Sequence, residues 1–289
     1  EMLRSLVGSE MCIRDSSPSV RNTPSGVAAR EARVRGKGTM STRLSPEGLR
    51  GKVAFVTGAS GALGSDAARA LSARGVRLAL LGRNTGKLET LARELGGPEK
   101  ALAIEMNVRN LASVEAAAKS AADHFGGIDI LVAGAGMVTT ELVEDYSATG
   151  FVDDVDTNLN GVWRTIKATL PYVREAKGHV CIIASLASFI HMPEMSAYSA
   201  SKAGVLALAN SLRLELDGSG VSVGTIHPSF FESALGDALT PSPLLNRASG
   251  NFGGLFTPIK REDVVAAIVK NIERRSRVVV LSLIHISEP

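Results

Sequence analysis

Cysteine is nearly absent from this sequence of 289 residues: Cys12 and Cys181 are the only two. Cys12 lies among the first sixteen residues and Cys181 in an apolar strand-like run, so the domain has no disulfide framework to draw on. That usage suits a reducing compartment, and a cytoplasmic protein is expected. Long apolar runs are missing as well. None approaches the roughly 18 residues that a helical membrane span needs, so no membrane partner is expected. His191 and His227 have no second His, Cys or acid at metal-ligand spacing, and both read as non-ligands. A strong excess of one charge is lacking too. The formal net charge is +3, of which residues 40–280 carry only +1, and that balance gives no argument for a nucleic-acid partner.

The two ends read as something other than protein design. Residues 5–16 can be encoded by a DNA whose reverse complement translates as Leu-Ser-Leu-Ile-His-Ile-Ser-Glu-Pro, the sequence from Leu281 to Pro289. That DNA resembles a transposase adapter used in sequencing libraries. Residues 1–16 and 281–289 are therefore expected to be adapter-derived and are set aside from fold reasoning. Residues 17–39 carry Arg21, Arg30, Arg33, Arg35 and Lys37 against Glu31 alone, with no apolar period. They read as a basic leader, disordered or untranslated, with an organellar transit segment as the alternative. Met40 is the expected start, and the domain is expected to be cut short after Val280.

What is present is a regular alternation. Strand-like runs fall at 53–57, 78–81, 101–106, 128–132, 180–184, 221–226 and 278–280. Helix-like runs fall between them, at 65–74, 87–95, 111–125, 154–174, 196–216 and 261–275. The strands are apolar without clean alternation, as expected where both faces are covered. Such β-α units in series predict a single α/β domain over 40–280, a Rossmann-type doubly wound parallel sheet with right-handed crossovers. No internal repeat or linker divides it. Ligands of such sheets bind beyond the C-terminal ends of the strands.

Two motifs carry chemistry. Thr57 closes the first strand, and Gly58-Ala-Ser60-Gly61-Ala-Leu63-Gly64 follows at once, before an Ala-rich helical run. Glycines let backbone approach a ligand, and a helix N-terminus offers free N–H groups, which together suit a dinucleotide pyrophosphate. A Gly cluster alone is more often a plain turn; its place between strand and helix favours the nucleotide site. Further on, Tyr198-Ser-Ala-Ser-Lys202 sets a phenol and an ammonium about one helical turn apart. A lysine charge beside a tyrosine favours the phenolate and lowers its pKa, giving a usable proton donor or acceptor. Taken alone, the pair could equally be a packed Tyr and a solvated Lys.

Three further segments complete a pattern: Ile130-Leu-Val-Ala-Gly134-Ala135-Gly136, Asn158-Leu-Asn-Gly-Val-Trp163 and His179-Val-Cys-Ile-Ile-Ala-Ser185. In this order and spacing the chain resembles the compact short-chain dehydrogenase/reductase family over roughly residues 48–280. The resemblance implies an NADP(H)-dependent oxidoreductase that interconverts a carbonyl and a secondary alcohol by hydride transfer. It implies Tyr198 as general acid/base, Ser185 holding the reacting oxygen, Lys202 lowering the Tyr198 pKa and binding the nicotinamide ribose, and Asn158 anchoring a water that links Lys202 to solvent. Ser188 is a weaker candidate for the Ser185 role, because its spacing to Tyr198 is wrong. Cofactor contacts are implied at Gly58, Ser60, Gly61, Leu63, Gly64, Arg83, Asn107, Val108, Gly134, Ala135, Gly136, Tyr198, Lys202, Pro228, Ser229 and Phe231. The second strand ends Leu-Gly82-Arg83-Asn84 with no acid for a ribose 2′-hydroxyl. Arg83 can pair with a 2′-phosphate, so NADP(H) is expected over NAD(H), a solvated loop Arg being the plain alternative.

Departures from the family pattern leave other readings open. Ala62 stands in place of the usual middle Gly, Ala133 and Gly134 in place of paired Asn, Asn107 in place of an Asp near adenine, and Ser229 in place of Gly. Read as Thr-Gly-x-x-Gly-x-x-Gly, the loop matches extended members, which include NAD-dependent epimerases and dehydratases. A non-catalytic NADP-sensing regulator is a second alternative. Between Pro228 and Pro258, Phe230, Phe231, Leu235, Leu239, Leu244, Leu245, Phe252, Leu255 and Phe256 fall where the family has its substrate lid. An apolar small-molecule carbonyl or alcohol is therefore expected, although loop packing accounts for these residues as well. The family further implies a homodimer or homotetramer through 154–174 and 196–216.

Overall fold

The structure, a computed structural model, describes residues 46–231, 244, 247 and 258–281. The expected basic leader and the adapter-derived ends lie outside them, apart from Leu281, as do Leu235, Leu239, Leu245, Phe252, Leu255 and Phe256 of the expected lid.

Seven strands form where seven were expected, with ends shifted by no more than two residues: β1 Val53–Thr57, β2 Arg77–Gly82, β3 Ala101–Glu105, β4 Ile130–Ala133, β5 His179–Ile183, β6 Ser222–Pro228 and β7 Val278–Leu281. They make one parallel sheet in the order β3-β2-β1-β4-β5-β6-β7. Chain order reverses between β1 and β4, and a doubly wound sheet opens its ligand crevice at that point. β7 runs one residue past its expected limit: Leu281 pairs with Pro228, and its carbonyl accepts from the Ser229 N–H at 2.8 Å.

Successive side chains of a strand point to opposite faces, and here both faces are buried. On one side Phe55, Ala79, Leu81, Leu131 and Ile182 pack beneath three helices, α3 (Leu111–Phe125), α5 (Gly161–Glu175) and α6 (Ser196–Glu215). On the other, Ala54, Val56, Leu78, Leu80, Ile130 and Cys181 pack beneath α1 (Ala62–Ser72), α2 (Thr85–Glu94) and α7 (Arg261–Arg274). The apolar, non-alternating strands of the sequence are those two cores interleaved.

The helix expected over 154–174 is instead two helices with a wide turn between them. α4 (Ala148–Val155) leads into a π-helical segment, Asp156–Asn160, and α5 follows directly. The Gly161 N–H reaches back to the Asp156 carbonyl, five residues away, so one extra residue is accommodated in the turn. A 3.6-residue period in the sequence cannot reveal this, because both flanking helices keep that period. α1 likewise begins at Ala62, three residues earlier than expected, since Gly61 takes the extended N-cap conformation and Ala62 can enter the helix at once.

Candidate active site

The turn after β1 is built for close approach. Gly58 has φ +74, and a Cβ there would lie 2.9 Å from the Gly134 carbonyl oxygen. A Cβ at Gly64 would run into the Gly58 backbone, so a side chain there would push the start of α1 off the turn, and one at Gly58 would push the turn off the Gly134–Ala135 backbone. The loop after β4 is held against this turn by Thr57. Its hydroxyl oxygen accepts the N–H of Gly134 at 3.0 Å and of Ala135 at 3.1 Å. Thr57 thus ties the end of β1 to the loop after β4. Thr57 is 1% exposed, so Thr57→Val keeps the shape and strands two N–H groups. Urea denaturation is expected to show a loss of about 2 kcal/mol, with Thr57→Ser largely restored.

Between these two turns opens a cavity of about 520 Å³. Gly58, Ser60, Gly61, Leu63, Gly64, Arg83, Asn107 and Val108 line one end. Gly134, Ala135, Gly136, Ser185, Tyr198, Lys202, Pro228, Ser229 and Phe231 continue the wall. Arg83 is exposed at the rim beside Ser60, Asn84 and Thr85. Asn107 uses its Oδ1 to accept the Arg109 N–H at 3.0 Å, which leaves its amide NH₂ for the cavity. Beyond Tyr198 the lining turns apolar, with Met137, Val138, Leu186, Ile190, Met192, Met195 and Phe230. These had not been singled out as site residues, apart from Phe230. Their positions after β4 and β5, at strand ends, were the only signal available.

Tyr198 and Lys202 lie on α6 as expected, and the Lys202 ammonium sits 5.6 Å from the Tyr198 ring centre. Lys202 is 5% exposed and donates to the Ile183 carbonyl at 3.0 Å. Burial pulls its pKa down to about 8. The expected lowering of the Tyr198 pKa does not result from this arrangement. Burial pushes the phenol up, the hydrogen bond with the Ser185 hydroxyl opposes that, and the charge of Asp154 adds to the rise. Burial of the phenol sets the direction of the shift. Ser185 Oγ also accepts the Ala187 N–H at 3.1 Å, while Ser188 Oγ is buried with no hydrogen-bond partner among the described residues. Of the two serines it is Ser185 that meets the tyrosine.

Asn158 is the one expected site residue behind the cavity wall. It is fully buried in the π-helical segment and clamps the loop after β4: its Oδ1 accepts the Met137 N–H and its Nδ2 donates to the Met137 carbonyl, both at 2.8 Å. Nδ2 also reaches Ser201 Oγ at 3.1 Å, and Ser201 in turn donates to the Tyr198 carbonyl at 2.7 Å. A Cβ at Gly136 would sit 3.2 Å from Asn158 Oδ1 and 3.8 Å from Lys202 Nζ, so all three converge. The side-chain amide is committed to the Met137 backbone and holds the loop after β4 in place. The same loop is fixed further on by Asp154, whose carboxylate accepts the N–H and hydroxyl of Thr139, both at 3.0 Å.

Among the described residues, no helix is long and apolar enough to cross a membrane, and no group of His, Cys, Asp or Glu could hold a metal ion.

Comparison with known proteins agrees with this geometry. A family model described as short chain dehydrogenase matches residues 52–243. An uncharacterized oxidoreductase of Staphylococcus epidermidis is 34% identical over 185 residues, covering 64% of this chain and 80% of that protein. An 11-beta-hydroxysteroid dehydrogenase (1A) of Arabidopsis thaliana is 36% identical over 195 residues, 65% of this chain and 55% of its own. Among solved structures, an alcohol dehydrogenase from the archaeon Thermococcus sibiricus, complexed with 5-hydroxy-NADP, superposes with a TM-score of 0.70 at 27% identity, over 82% of this chain and 98% of that one. A short-chain dehydrogenase/reductase from Burkholderia phymatum in complex with NAD has the same fold, with a TM-score of 0.71 at 24% identity, over 80% of this chain and 89% of that one.

Proposed function

The chain belongs to the short chain dehydrogenase family, an NAD(P)-dependent oxidoreductase by descent, and from that premise we propose that it interconverts an apolar carbonyl and a secondary alcohol, with NADP(H) preferred over NAD(H) and Tyr198 as general acid/base. The observation that carries this reading is one continuous cavity with the Gly58–Gly64 turn and Arg83 at one end and Tyr198, Ser185 and Lys202 at the other.

The residues present fit a dinucleotide. A Cβ at Gly58 or Gly64 would fill the space where the turn meets the neighbouring backbone, and the N-terminus of α1 offers N–H groups to a pyrophosphate. Arg83, with no ion pair among the described residues, suits a 2′-phosphate, and a neighbour solved with an NADP derivative points the same way. Gly134, Ala135, Gly136, Pro228, Ser229 and Phe231 would border the nicotinamide half, and Asn107 and Val108 the adenine. A nicotinamide dinucleotide bound there supplies or accepts the hydride. Tyr198 would give its proton to the carbonyl oxygen in reduction and take it back in oxidation, and Ser185 would hold that oxygen by a hydrogen bond. Lys202, charged below a pH of about 8, would favour the phenolate as the proton leaves.

Substrate character follows from the far end of the cavity. Val138, Ile190, Met192, Met195 and Phe230 give an apolar lining with adaptable thioethers, and a relative named for a hydroxysteroid is in keeping with it. The half-exposed Trp163 of α5 and the exposed Leu214 of α6 support a homodimer or homotetramer built through those helices.

The test is transfer of deuterium from C4-deuterated NADPH into the alcohol products of a panel of apolar ketones, followed by mass spectrometry. Label in a product supports the reading. Tight NADPH binding with no label in any product would favour a nucleotide-sensing regulator.

A further inference from the structure

Ser185 is held at three points, and one of them is a buried histidine with no role so far. The Ser185 carbonyl accepts the Ser188 N–H at 3.0 Å and lies 3.1 Å from Nδ1 of His227, while its hydroxyl oxygen accepts the Ala187 N–H at 3.1 Å. His227 stands on β6 next to Pro228, is fully buried, and has the Phe189 ring against it at 4.7 Å between centres. A carbonyl can only accept, so Nδ1 must carry the proton. In the neutral ring Nε2 is then a bare acceptor, and it is buried with no hydrogen-bond partner among the described residues.

We propose that His227 is a positioning residue: through its Nδ1–H it fixes the Ser185 backbone, and thereby the direction in which the Ser185 hydroxyl faces Tyr198 and the reacting oxygen. The inference rests on the reading of Ser185 given above. Its argument is the asymmetry of the ring. An apolar side chain at 227 would avoid leaving a buried acceptor unpaired, which is costly. What only a donor at the δ position provides is the second hydrogen bond to the Ser185 carbonyl. The ring also stays neutral there, since burial and the charges of Arg213 and Lys202 hold its pKa below the usual range for histidine, with the Ser185 carbonyl opposing them. A short turn, Leu186–Ser188, begins at this carbonyl, so a slackened Ser185 would also loosen the wall that carries Leu186.

The experiment compares two amides. His227→Asn puts an N–H at the δ position, and His227→Gln puts it at the ε position. Gln is the closer match to the ring in volume, so any advantage of Asn is not one of packing, and neither can titrate. NADPH oxidation is followed with acetophenone, cyclohexanone and 2-decanone, alongside NADPH affinity and thermal melting. The expected result is that His227→Gln lowers kcat about tenfold, the scale of one lost hydrogen bond, while His227→Asn stays within about threefold of the parent. NADPH affinity is expected to be unchanged in both. Equal loss in the two variants, or no loss in either, overturns the proposal, because a merely structural histidine would not separate δ from ε. If the parent protein turns over none of the three ketones, what fails is the reading of Ser185 itself.

Discussion

Tyr198→Phe is expected to lower kcat by roughly 10²–10⁴-fold, the usual contribution of a positioned acid/base, while leaving NADPH affinity within about threefold of the parent. The substitution is a clean one in this structure. The ring packs with Met192, Met195, Val138 and Phe230, and those contacts survive removal of one hydroxyl. On the proposed reading the phenol would carry the chemistry, with the Ser185 hydroxyl on one side and the Lys202 ammonium on the other. Desolvation pushes its pKa up, so the free protein holds it protonated, the form needed to reduce a carbonyl. Steady-state rates and a fluorescence titration of the two proteins check both halves of the prediction. A Tyr198→Phe protein with parental kcat would remove Tyr198 from the mechanism.

Acid is expected to destabilise the fold through a second buried histidine, far from the site. His179 is 1% exposed at the start of β5. Its Nδ1 lies 2.7 Å from the Ser222 hydroxyl and its Nε2 lies 2.9 Å from Asn271 Oδ1. Asn271 Oδ1 can only accept, so Nε2 carries the proton and Nδ1 accepts from Ser222. Asn271 donates in turn to the Ser276 carbonyl, so the neutral ring ties β5, β6 and the end of α7 together. Burial pulls the His179 pKa down to about 4, with the Asn271 hydrogen bond opposing it and the charges of Arg275 and Arg213 adding to it. The folded value lies below the unfolded one, so the unfolded chain takes up the proton first as pH falls. Stability is therefore full above about pH 6.5 and is lost progressively down to about pH 4, by about 3 kcal/mol in all. Urea denaturation at several pH values, for the parent and for His179→Gln, isolates this share: the variant is expected to be less stable at pH 7 and to have a flatter slope between pH 6.5 and 4. Parallel slopes would show that His179 does not titrate in this range.

How far the sequence reaches can be judged residue by residue. Glycines and a run of β-branched residues are local signals, and they placed β1 to the residue and α1 to within three. The spacing of Tyr198 and Lys202 needed only a helix to become a pair, and α6 supplies it. What was not legible depends on partners distant in the chain. The tie from Thr57 to Gly134 spans 77 residues and is made by a threonine that also reads as an ordinary strand former. The π turn around Asn158 leaves the flanking period intact, so a single helix was expected where two stand. The direction of the Tyr198 shift was misjudged because a neighbouring charge is visible in a sequence and burial is not. His227 reads in the sequence only as a metal non-ligand, and its link to Ser185 is hidden for the same reason: Ser185 is 42 residues away and offers only a backbone carbonyl.

The central claim, that the crevice at the β1–β4 switch holds NADP(H), is tested most directly by titrating the protein and its Arg83→Ala variant with NADPH and with NADH, following nucleotide fluorescence. NADPH is expected to bind the parent at least about tenfold more tightly than NADH, the scale of a charge-assisted contact to the 2′-phosphate. Arg83→Ala is expected to erase the difference by weakening NADPH alone. Equal affinities in the parent, or no binding of either nucleotide, would contradict that claim.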